Sequence, residues 1–100
     1  MTAEHEILSG VFVKVMHMAF DDARKDVTAA RRRMRAQVCL ADPARKEAVA
    51  AHYQQEVDRA IASHRRYFES RDYLMVCTLA DLFIRPEDMM RAVCAPEVDT

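Results

Sequence analysis

The chain has 100 residues, a formal charge of −1, 51% apolar residues and no Trp. That suits one domain with a modest core and is too apolar for a disordered segment. Three cysteines, none at CxxC spacing, support neither a disulfide framework nor a thiolate metal knuckle. The longest apolar run, YLMVCTLADLFI, is broken by Asp81 and falls short of the roughly 20 residues a bilayer span requires. MTAEHEILSG lacks the order of a signal peptide, so a reducing cytoplasmic setting is expected.

One Gly and three Pro among many Ala, Arg and Met predict an all-α fold. Leu8, Phe12, Val15, Ala19, Ala23, Val27, Ala30, Met34 and Val38 recur at spacings of three or four, which predicts a long helix over about 3–39. Its first half is apolar on most sides, because Ile7, Val11, Val13, Met18 and Phe20 leave only Lys14, His17 and Asp21 as a polar face. Its second half narrows to a thin seam, as expected for a helix touching one neighbour. VFVKV also permits a strand over 11–16, but no second strand pairs with it.

In ADPARKE, Asp42 is the expected cap and Pro43 the first-turn residue of a second helix over about 43–69. Val49, Tyr53, Val57, Ala60, Ile61, His64 and Phe68 form its stripe, and the short connection predicts an antiparallel hairpin with the first helix. A third helix over about 72–84 either follows a break or continues the second past a kink near Ser70. Being apolar nearly all round, it is expected to be the most buried element. Pro86, Glu87 and Asp88 open a fourth helix over about 86–95, whose first-turn anions suit the macrodipole. The whole reads as one all-α domain over 1–100, a long hairpin closed by two short helices.

Charge is segregated along this hairpin. Residues 1–23 carry −3, residues 24–71 carry +6 and residues 72–100 carry −4. The predicted molecule has a basic tip and an acidic, apolar base. The tip holds RRRMR (Arg31, Arg32, Arg33, Arg35) on one shoulder and Arg45 with Lys46 on the other.

Two functions from different classes fit that tip. The first is docking on the acidic surface of a protein partner, with Arg31, Arg32, Arg35, Arg45 and Lys46 as contacts and an exposed Met89–Met90 patch as a second surface, suited also to a homodimer. Such a chain would be a non-enzymatic adaptor or inhibitor, for instance within a nucleic-acid-handling complex. The second is direct contact with nucleic-acid phosphates. Against it, the arginines fan around a helix and no interleaved aromatics offer a stacking platform.

Other chemistry finds little support. His17 with Asp21 and His52 with Glu56 have one-face spacing, but lack the richer Glu-x-x-His pattern of bundle metal sites. His64 lies in the second stripe and reads as a packed, hydrogen-bonded histidine. Cys39 is the most reactive thiol by position and Cys77 the most buried, yet nothing supplies a base or an oxyanion hole. No catalytic residue, cofactor or metal is assigned.

Overall fold

The computed structural model describes residues 3–97. It contains four helices: α1 (Ala3–Leu40), α2 (Lys46–Phe68), α3 (Arg71–Ala80) and α4 (Pro86–Val93). Residues 11–16 are helical, as the helical periodicity predicts. The molecule is a slab with principal extents of 64 × 30 × 15 Å, its length set by α1.

α1 is one side of the slab, and α2 with α3 forms the other as a broken rod. As α1 advances from Ser9 through Asp26 to Arg33, its partners recede from Ala80 through His64 to Glu56. That is one antiparallel register carried across the α2–α3 break.

Ser70 makes the break. Its backbone is extended (φ −83°, ψ 164°), its hydroxyl donates to the Tyr67 carbonyl at 2.5 Å, and the same oxygen accepts from the Tyr73 N–H at 3.3 Å. A serine side chain thus ends one helix and caps the next.

The start of α2 differs from the expectation. Asp42 does not cap it with its side chain; its carbonyl accepts from the Arg45 N–H at 2.8 Å, closing a turn over 42–45, and the helix begins at Lys46. Pro43 therefore belongs to the turn. α1 has no basic residue in its last turn, and Lys46 supplies the cation from α2, donating from Nζ to the Val38 carbonyl at 2.9 Å.

The third helix ends at Ala80, four residues short of the predicted boundary. Asp81 takes the left-handed conformation (φ 56°, ψ 36°), with its N–H on the Thr78 carbonyl and the Leu82 N–H on the Cys77 carbonyl. These are the two bonds of a Schellman stop, with Asp81 where glycine is commonest. Asp81→Gly is expected to leave the chain at least as stable as wild type, because glycine adopts φ > 0 without steric cost. Asp81→Val should cost about 1–2 kcal/mol by urea unfolding, since a β-branched side chain resists φ > 0.

Burial of α3 also departs from the expectation. Tyr73, Cys77 and Ala80 are buried, while Leu74 and Met75 are exposed. α3 touches α1 on one side and meets α2 only near the break, so two neighbours cannot cover a helix that is apolar all round.

α4 corrects the placement of the fourth helix as well. Instead of capping the acidic base, it folds back over the middle of the slab against α1 and α2. Met89, Met90 and Val93 are driven into the core beside Met16, Ala23 and Val27 of α1 and the aromatic pair Phe68 and Tyr73 at the break. The rings of Phe68 and Tyr73 meet edge to face at 5.1 Å. Only here is the molecule more than two helices thick. Along the N-terminal half of α1, the inner seam runs through Ser9, Phe12, Val13, Met16 and Phe20, rotated from the predicted line so that Leu8 is exposed.

Candidate interaction surface

The basic tip is the strongest sequence signal, and the structure uses much of it internally. Arg31 donates from Nη1 to the Cys94 carbonyl at 2.9 Å. Arg32 and Arg35 converge on the Glu97 carboxylate at 3.2 and 3.8 Å. Arg33 lies 3.9 Å from Glu56, and Lys46 serves the end of α1. Arg45 stays exposed beside a shallow cleft of about 550 Å³ that His52 and Tyr53 also line. The tip therefore forms, in large part, a clamp on the C-terminal end of α4.

The central residue of this clamp is Arg24, which sequence reasoning passed over. Its guanidinium donates to the carbonyls of Val93 (2.9 Å), Ala95 and Pro96 (3.2 Å). Arg24 and Arg31 are seven residues apart and so share a face of α1. That spacing was the available signal; the acceptors, being backbone carbonyls, leave none. Met89 and Met90, expected as contact surface, are each 5% exposed and serve as core.

Several titratable groups outside the tip are similarly occupied. His64 Nε2 lies 2.8 Å from Asp26 Oδ2, a hydrogen-bonded pair between α1 and α2. Glu56 faces Arg33, and His52 packs edge-on to Tyr53. Among the described residues, no three or more His, Cys, Asp or Glu gather as a metal ion would require. Cys77 is buried, Cys94 half-buried and Cys39 exposed. Burial pushes the Tyr73 phenol well above its ordinary range, with the adjacent Cys77 thiol acting in the same direction. Burial, then the Asp72 carboxylate, raises Tyr67.

No family model, curated protein or solved structure matches the chain.

What the structure does leave open is apolar. Among the described residues nine large hydrophobic side chains are exposed, and eight of them lie at the end of the slab opposite the tip. α1 contributes Ile7 (69% exposed), Leu8, Val11 and Met18; α3 contributes Leu74 and Met75; the linker contributes Leu82 and Phe83. Leu40 alone sits at the other end. Scattered apolar side chains are ordinary on a protein surface, whereas a gathered set of this kind is a candidate interaction surface. The gathering follows from topology: α4 covers the middle of the slab, and no described segment covers the α1–α3 end. No described helix is long and apolar enough to cross a membrane.

Proposed function

We propose that this chain is a non-enzymatic docking module, an adaptor or inhibitor, that engages a protein partner through the apolar α1–α3 end. The observation that carries the reading is the confinement of eight of nine exposed large hydrophobic side chains to that end. The clamp at the tip supports the same shift of emphasis, since Arg31, Arg32 and Arg35 are engaged with Cys94 and Glu97 within the chain.

The test is capture from the native cell with the tagged wild-type chain and with a Val11→Gln/Met75→Gln variant. Both positions are at least half exposed, so the variant should unfold within about 0.5 kcal/mol of wild type. A partner held by the wild type and lost by the variant is the expected result. Equal recovery of every captured protein by both chains would remove the apolar end from the reading.

A further inference from the structure

Helical geometry divides the exposed apolar residues into two sides. The α1 residues that line the slot beneath α4 are Val13, Met16, His17 and Phe20. At about 100° per residue, Leu8, Val11, Val15 and Met18 occupy the flank turned away from α4. Cys77 and Thr78 of α3, with Asp81 at its end, border the linker residues Leu82 and Phe83. Leu79, two residues on from Cys77 and so about 160° around the helix from it, turns to the opposite side, toward the Leu8–Met18 flank, and Met75, one turn before Leu79, lies at the outer edge of that side. The result is a two-helix platform on the bare face of the slab.

The spacing on α1 is specific. Leu8, Val11, Val15 and Met18 follow the 3-4-3 interval of a heptad seam, the spacing at which one helix receives another. The seam is bounded by Glu4 four residues before Leu8 and by Asp22 four residues after Met18. Asp72, three residues before Met75, adds a third carboxylate on α3. All three are exposed, and none is in an ion pair among the described residues.

We infer that this platform receives a cationic amphipathic helix of another protein, its apolar stripe on Leu8, Val11, Val15, Met18 and Met75 and its Lys or Arg residues against Glu4, Asp22 and Asp72. The inference rests on the docking reading above and specifies the occupant. The same charges turn away two alternatives. In an antiparallel pairing of two copies, seating Leu8 against Met18 of a second copy sets Glu4 against Asp22; a parallel pairing sets each carboxylate against itself. An anionic lipid surface meets the same three carboxylates. A helix with basic ends along its stripe meets complementary charge at each boundary. Leu8 to Met18 spans about 15 Å, which suits an occupant of about three turns.

The probe is a fluorescein-labelled peptide of about 17 Leu and Lys residues with Leu at the heptad a and d positions. Its Leu/Glu counterpart and a scrambled Leu/Lys peptide serve as comparisons, and binding to the full chain is read by fluorescence anisotropy. The Leu/Lys peptide is expected to bind with micromolar Kd, at least about tenfold tighter than either comparison, and to weaken as salt rises. Val11→Gln/Met75→Gln should weaken it by about tenfold or more. Glu4→Lys/Asp22→Lys/Asp72→Lys should reverse the preference toward the Leu/Glu peptide, a result that general stickiness of a cationic peptide does not produce.

Equal binding of the Leu/Lys and Leu/Glu peptides, or no binding of either, overturns the inference. So does a wild-type dimer by light scattering that Val11→Gln/Met75→Gln dissociates, which assigns the platform to a second copy. Co-sedimentation with phosphatidylcholine/phosphatidylserine vesicles overturns it in favour of lipid. If the peptides fail while the same double variant still loses a cellular partner, the docking reading stands and only the cationic occupant falls.

Discussion

Replacing Tyr73 by alanine is expected to cost about 3–5 kcal/mol in urea unfolding, the largest effect of any single substitution proposed for this chain. Tyr73 is 1% exposed and sits where α2, α3 and α4 meet. Its ring contacts Phe68 and Tyr67, and its hydroxyl donates to the Ile84 carbonyl at 2.9 Å, tying the stretch after Asp81 back to the core. Tyr73→Phe keeps the ring and removes the bond. It should cost about 1–2 kcal/mol, much of it from leaving the Ile84 carbonyl without its donor.

Tyr73 also predicts a pH dependence. Burial holds the phenol neutral, so its folded pKa lies above the value of about 10 expected in the unfolded chain. Below that value the phenol is neutral in both states and the stability is intact. As pH rises past about 10 toward the folded value, the unfolded chain releases the proton first and stability falls. Tyr67, raised by burial and by Asp72, contributes in the same direction. Thermal melts should therefore show Tm dropping from about pH 10 upward. The Tyr73→Phe variant, less stable at neutral pH, should fall less steeply. Parallel declines for the two proteins would mean that the Tyr73 phenol is not the origin.

The second large effect is expected on releasing the α4 clamp. α4 has eight residues, too few to be helical alone, and its C-terminal carbonyls carry the negative end of the helix dipole. Arg24 and Arg31 supply donors to four successive carbonyls, Val93 through Pro96. Arg24→Ala/Arg31→Ala should lower stability by about 2–4 kcal/mol, a range reduced from the sum of the bonds because both side chains are only partly buried. Amide exchange should accelerate first at Met89, Met90 and Val93. Lysine at both positions should restore little, since an ammonium lacks the planar fork that spans several acceptors. Unchanged exchange in α4 would show that its apolar face, rather than the clamp, holds it. The clamp also bears on mutagenesis of the tip: charge reversal at Arg31 loosens α4, so a loss of partner binding there would not by itself place a contact at Arg31.

Much of the architecture is legible from spacing alone. The seam through Ala23, Val27 and Ala30 is periodic, and all three are buried. Pro86 followed by Glu87 and Asp88 places the start of α4 correctly. The stop at Asp81 is harder to read, because the left-handed conformation there falls on a residue that carries no glycine signal. The candidate surface was legible only in part. The excess of apolar residues over 7–20 and 73–84 is plain in the sequence, and full burial is its natural reading when the number of covering helices is unknown. Met89 and Met90 pose the converse problem. Their spacing with Val93 marks an apolar face, but spacing carries no information on whether that face meets its own chain or another.

The sequence by itself determined the helical class, the antiparallel hairpin, the start of α4 and the segregation of charge, because each follows from local propensity or from periodicity within one segment. Only the tertiary structure decided how the basic and apolar residues are used. Arg24 and Arg31 find acceptors more than sixty positions away, on backbone atoms that every residue shares. The folding-back of α4 over the middle of the slab leaves Leu8, Val11, Met18 and Met75 exposed at the α1–α3 end. Which apolar face remains open depends on how many helices the chain has and where the last one lies, a property of the assembled packing that no single segment encodes.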